Sequence, residues 1–136
     1  MLRVDFYVLQ SQSHHERLQF AARLAEKAWA QQCDVAFLVA DEATAQTLDS
    51  LLWEFKPESF LPHGRGSSGD PLVIGTDAEA LPARQLLINL GHTMPETQAQ
   101  RLAEIVIQTP DVLDQTRRRY SRYKEMGHNI NTHKLP

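Results

Sequence analysis

The sequence predicts an α/β fold, a mainly parallel sheet covered by helices. Strand and helix patterns alternate from the first residues onward. The second strand is apolar throughout, the mark of a parallel strand buried on both faces. The chain then closes on a helix with cap signals at both ends.

Arg3–Leu9 (RVDFYVL) is rich in β-branched and aromatic residues and reads as a strand. Ser13 and Glu16 have capping-box spacing and open a helix to about Gln32. Its buried stripe is Leu18, Ala21, Ala22, Ala25, Ala28 and Trp29. Val35–Val39 is the continuous apolar strand. Asp41 caps a second helix to about Glu54, with Ala45, Leu48 and Leu52 inward. The stretch from Pro57 to Pro71 exceeds the usual length of a connection, which marks a functional or mobile loop. Strands are expected at Pro71–Gly75, Gln85–Leu90 and Glu104–Gln108, with a small helix after Pro95.

The last helix takes Thr109 as N-cap and Pro110 as its first residue, and Gly127 ends it in a left-handed conformation. Asp111 and Asp114 favour its positive end, and Arg and Lys crowd the other. At about 100° per residue, Val112, Thr116, Tyr123 and Met126 form the inward face. Leu113, Arg117, Tyr120 and Lys124 share a flank, while Arg118 and Arg122 point elsewhere, into water.

Charge divides at that helix. Residues Arg117–Pro136 hold 6 Lys and Arg against 1 acidic residue, a balance of +5. The 116 residues before them hold 8 Lys and Arg and 16 acids, a balance of −8, for a net charge of −3. This is a localised basic footprint on an acidic body. The flank of Leu113, Arg117, Tyr120 and Lys124 suits a ligand with a negative group beside something apolar: an acidic peptide, a terminal carboxylate or a nucleic-acid strand. The bland alternative is a solvated helix whose arginines complement the dipole.

With 136 residues, 42% of them apolar and 23% charged, the chain is expected to form a single globular domain over residues 1–136. No run approaches the ~18 apolar residues of a membrane span. The N-terminus enters a strand directly, so no signal peptide is expected. The lone Cys33 fits a reducing, cytoplasmic compartment.

Catalytic signals do not assemble. Gly64, Gly66 and Gly69 spell G-x-G-x-x-G, yet the run precedes a strand instead of opening a helix, and no phosphate-loop motif occurs. His14, His15, His63, His92, His128 and His133 lack metal-ligand spacing. Cys33 has no activating motif, and Ser67 and Ser68 lack a nucleophile elbow. No catalytic residue, cofactor or metal is expected. Trp53, Phe55, Phe60 and Leu61 cluster around a helix end and the loop after it. They either plug the domain's own core or form an apolar docking patch.

Two stretches, LDSLLWEFKPESFLPH and RRRYSRYKEMGHNIN, following an N-terminal FYVL strand, resemble the chi subunit of bacterial DNA polymerase III. The resemblance covers essentially the whole chain in layout. It implies a non-enzymatic bridging protein of Rossmann-like fold without a nucleotide site, acting in DNA replication. It implies two partners: the psi subunit, which connects to the clamp loader, and the acidic C-terminal tail of single-stranded DNA-binding protein (SSB). That tail ends in an apolar pair and a free carboxylate. By resemblance, Arg117 holds the carboxylate, Tyr120 and Leu113 the apolar end, and Lys124 the acidic residues upstream. Trp53, Phe60 and Leu61 meet psi. Members of the family carry basic residues where this chain has Leu113 and Ser121. The resemblance implies no membrane partner and mainly indirect contact with nucleic acid. Direct binding of single-stranded DNA by the terminal helix is the alternative. A nucleotide-dependent enzyme is favoured by fold analogy alone.

Overall fold

Arg3–Val8 (β1) leads into His14–Ala30 (α1), Val35–Val39 (β2) and Glu42–Glu54 (α2) in the computed structural model, which describes residues 2–54, 61–66, 69–95 and 97–135. His63–Arg65 (β3), Leu72–Gly75 (β4), Leu86–Leu90 (β5), Arg101–Val106 (β6), Pro110–Glu125 (α3) and Asn129–Lys134 (β7) complete the described elements. The strands form one 7-stranded sheet in the order β3-β4-β2-β5-β6-β1-β7, and every neighbouring pair is parallel. The expected α/β class, a Rossmann-like parallel sheet flanked by helices, is what the chain adopts.

Alternation along β1 fixes the layers. Tyr7 packs on Phe20 of α1 at 5.4 Å, whereas its neighbour Phe6 packs on Tyr120 and Tyr123 of α3. Successive strand residues point to opposite faces, so α1 and α3 cover opposite sides of the sheet. α2 packs beside α1, over β2, β3 and β4. Central β2 and β5 are buried at every position, as an apolar parallel strand requires.

The caps follow the sequence closely. Ser13 accepts the Glu16 N–H at 3.2 Å. Asp41 accepts the Thr44 N–H at 2.7 Å, and hydrogen bonding from the Thr44 side chain first, then from that N–H, holds its carboxyl below the ordinary range. Pro110 opens α3, although Thr109 makes no side-chain cap bond. At the far end, His128 N–H donates to Tyr123 O and Gly127 N–H to Lys124 O, with Gly127 at φ +76°. This is a Schellman cap, and the left-handed angle is what requires glycine there.

Four expectations need correction. No helix follows Pro95 among the described residues: Thr97 Oγ1 takes the Ala99 N–H, and the N–H groups of Gln100 and Arg101 turn to Gln85 O. A local hydroxyl acceptor competes with helix there, and the sheet captures the chain. The strand expected at Glu104–Gln108 instead runs Arg101–Val106, with Glu104 in its middle. Edge strand β7 was hidden because Asn129–Lys134 is polar and lacks apolar alternation, and β3 lies inside the stretch read as loop. Met126, expected inward, is exposed, because it is the C-cap of α3.

Candidate binding surfaces on the outer helices

α3 is seated by a buried polar network. Val112, Arg119 and Tyr123 form its inner face, at i, i+7 and i+11. Arg119 donates from Nε and Nη2 to the Glu104 carboxylate at 2.9–3.1 Å. The Tyr123 hydroxyl donates to Glu104 Oε2 at 2.7 Å, and Asn89 Nδ2 donates to the same oxygen at 3.0 Å. Burial first, and then the Glu104 charge, push the Tyr123 phenol far above its ordinary range. The sequence reading missed Glu104 and Arg119. The signal available for Arg119 was its spacing from Val112 and Tyr123; Glu104 carried none beyond a charge inside an apolar run.

With the inner face fixed, Leu113, Arg117, Tyr120 and Lys124 fall together on the exposed flank. Leu113 is partly buried against the core. Tyr120 stays 40% exposed, its ring tilted against Phe6 at 5.4 Å. Arg117 and Lys124 are exposed on either side of it. The cations of this helix differ in partners. Arg118 pairs with Asp114 at 2.8 Å and Arg122 with Glu125 at 3.5 Å, so the helix neutralises both itself. Arg117 and Lys124 make no ion pair among the described residues. Two uncompensated cations therefore bracket one half-exposed aromatic ring.

The second candidate surface lies at the end of α2. Trp53 is 61% exposed and meets the His63 ring edge-on at 4.8 Å. His63 Nε2 lies 2.9 Å from Asp49 Oδ1, and Nδ1 lies 2.7 Å from Leu61 O, which ties β3 to α2. Leu61, read with Trp53 as part of one patch, is only 3% exposed and belongs to the core cluster. Its side chain is buried, which leaves Trp53 as the exposed one of the two. Phe55 and Phe60 lie outside the described residues.

The two surfaces stand apart. α3 packs on β6 and β7, α2 on β2, β3 and β4, and the sheet's outer strands are β3 and β7. Six interstrand spacings separate those outer strands, roughly 28 Å. Burial raises the Cys33 thiol, the opposite of activation. Among the described residues no group of three His, Cys, Asp or Glu could hold a metal, and no helix is long and apolar enough to cross a membrane.

Residues 1–131 match the family model described as DNA polymerase III chi subunit, HolC. The chain belongs to this family. Among curated relatives, the DNA polymerase III subunit chi of Pseudomonas aeruginosa is 39% identical, over 100% of this chain and 99% of that protein. The Escherichia coli K12 subunit chi is 31% identical over 97% of each chain, and that of Haemophilus influenzae 28% over 94% of each. Membership in the chi family carries a role in DNA replication within a multi-subunit polymerase. The crystal structure of T4 UvsW aligns with a TM-score of 0.67 at 11% identity, over 98% of this chain and 41% of that one. That likeness concerns the fold alone.

Proposed function

We propose that this chi-family chain is a non-catalytic, single-domain bridge in the replicative polymerase. Its α3 flank holds the acidic C-terminal tail of SSB, and the Trp53 end of α2 meets the psi subunit and, through it, the clamp loader. The observation that supports this most is the selective neutralisation along α3. Arg118 and Arg122 are paired within the helix, while Arg117 and Lys124 are left to a ligand on either side of Tyr120. A guanidinium takes a terminal carboxylate in two parallel hydrogen bonds, and the Tyr120 face with the partly buried Leu113 suits an apolar end group. The separation of the two surfaces across the sheet lets both partners be held at once. A fold that keeps two protein partners apart needs no reaction chemistry.

Direct binding of single-stranded DNA fits the structure less well. Such binders stack successive bases on a row of aromatic rings. Tyr123 is buried under α3, which leaves Tyr120 as the one exposed aromatic ring on that helix.

The test is a fluorescence-anisotropy titration with a labelled peptide of the SSB tail and a second peptide lacking its final residues. Saturable binding of the first with loss of the second is the expected result. Equal binding of both, or tighter binding of an oligonucleotide than of either, would replace the tail by a diffuse polyanion.

A further inference from the structure

A third feature lies apart from both candidate surfaces, above the carboxyl ends of the central strands. A crevice of about 420 Å³ opens there, lined by His14 and Arg17 of α1, Asp41 and Thr44 at the start of α2, His92 after β5, and Asp111 of α3. Three helix N-termini converge on it. β6 and β1 are neighbours in the sheet, and the helices that follow them, α3 and α1, leave on opposite faces. This is a topological switch point, where open parallel sheets hold their ligands, and its volume is in the range of small-molecule pockets.

Arg17 is what points to a ligand. It is 6% exposed and lines the crevice. Its Nε donates to Ile105 O at 2.8 Å and Nη1 reaches Leu90 O only at 3.5 Å, while Nη2 is buried without a hydrogen-bond partner among the described residues. No carboxylate among the described residues bonds it. Glu104, the one buried glutamate nearby, is already occupied by Arg119, Tyr123 and Asn89. Of the two buried guanidiniums, Arg119 is thus matched by a buried carboxylate and Arg17 is held only by backbone carbonyls. Burial accordingly lowers the Arg17 pKa to about 10. Asp41 is spent on the Thr44 N–H, and the exposed Asp111 lies 3.8 Å from His14. An unpartnered guanidinium nitrogen beneath converging helix N-termini is a site for an oxyanion.

We propose that this crevice binds a small phosphate-bearing molecule, with Arg17 as its anchoring cation. Tetrahedral phosphate matches the guanidinium fork, and the first-turn N–H groups that the Ser13 and Asp41 caps leave over, those of His15 and Ala43, complete its shell. The site shares no residue with the Leu113–Lys124 flank, so it stands or falls apart from the tail reading.

The test uses the full chain in two arms, inorganic phosphate and glycerol 3-phosphate, at ionic strength matched with chloride. Nitrogen–proton correlation spectra and calorimetry follow each titration. Saturable shifts at His14, Arg17, Thr44 and His92 are expected in at least one arm, and the tighter arm tells whether the ligand is the free ion or an ester. Arg17→Lys is expected to weaken binding by about tenfold or more, because lysine lacks the fork. Arg117→Ala is expected to bind as the unaltered chain does. No saturable response in either arm would overturn the site, as would equal binding by Arg17→Lys or shifts centred on Arg117 and Lys124. Should Arg17→Lys fail to fold, the shift map of the unaltered chain decides.

Discussion

Arg119 and Glu104 meet in a bidentate pair sealed between α3 and β6, and this pair sets which arginines of the basic run reach solvent. Removing one partner leaves the other charge buried and unmatched, which costs about 3–5 kcal/mol. Glu104→Ala and Arg119→Ala are each expected to fall in that range. Replacing both by leucine is expected to recover much of the loss, since an apolar pair needs no counter-charge. Urea denaturation of the unaltered chain, the two alanine variants and the double alanine variant closes a double-mutant cycle that measures the coupling, with the double leucine variant compared beside it. Strictly additive losses would mean that the two side chains act independently.

Tyr123 adds a pH signature to the same network. Its hydroxyl donates to Glu104, and its phenol is raised above the ordinary value of 10.0. Above pH 10 the unfolded chain releases this proton while the folded chain keeps it. The folded state then binds more protons than the unfolded one, so stability declines as pH rises. Tyr123→Phe is expected to cost about 1.5–3 kcal/mol at neutral pH, the worth of a hydrogen bond to a charged group. It is also expected to flatten the decline above pH 10. Thermal melts between pH 7 and 11 compare the slopes, and identical slopes would remove Tyr123 as the cause.

Trp53 and Leu61 are expected to part company on mutation, although the sequence joins them in one apolar stretch. Leu61 is core, and Leu61→Ala is expected to lose about 2–5 kcal/mol of stability. Trp53 is largely exposed at the end of α2, so Trp53→Ala is expected to lose under about 1 kcal/mol. Under the proposed psi contact, Trp53→Ala nonetheless loses co-purification with psi. Chemical denaturation beside a pull-down separates the two effects. A folded Trp53→Ala protein that retains psi at full yield would end that assignment.

The sheet was legible where burial is written as apolar runs, as in β2 and β5, and where caps announce helices, as at Ser13, Asp41 and Gly127. It was illegible where tertiary pairing overrides composition. β7 is polar and is a strand because β1 offers a parallel edge at residues Arg3–Val8. The flank of α3 could be read because Leu113, Arg117, Tyr120 and Lys124 keep helical spacing. The inside of the same helix could not. Arg117, Arg118 and Arg119 are chemically identical and differ by about 100° steps around the axis. Only a glutamate on another element decides that the third of them is buried. Arg17 escaped notice for the same reason, since its partners are backbone carbonyls at the ends of β5 and β6.

Arg117 is where the tail reading is most exposed to test. It shares the flank with Leu113, Tyr120 and Lys124, and no described residue competes for its guanidinium in an ion pair. Arg117→Ala is expected to weaken the SSB tail by about 2–5 kcal/mol, the cost of truncating one member of a hydrogen-bonded charge pair. Arg117→Lys keeps the charge but not the fork, and is expected to recover only part of that loss. Arg118 is already matched by Asp114 and points away, so Arg118→Ala is expected to remove only long-range attraction. That remainder shrinks as salt rises, whereas the loss from Arg117→Ala persists, because a close desolvated pair is screened far less than a distant one. None of the three substitutions touches the Glu104 network, so all three proteins are expected to melt near the unaltered chain. Anisotropy titrations of one labelled tail peptide at two salt concentrations measure every difference. Equal losses from Arg117→Ala and Arg118→Ala would make the basic helix a diffuse patch, and the uncompensated pair around Tyr120 would then not be the binding site.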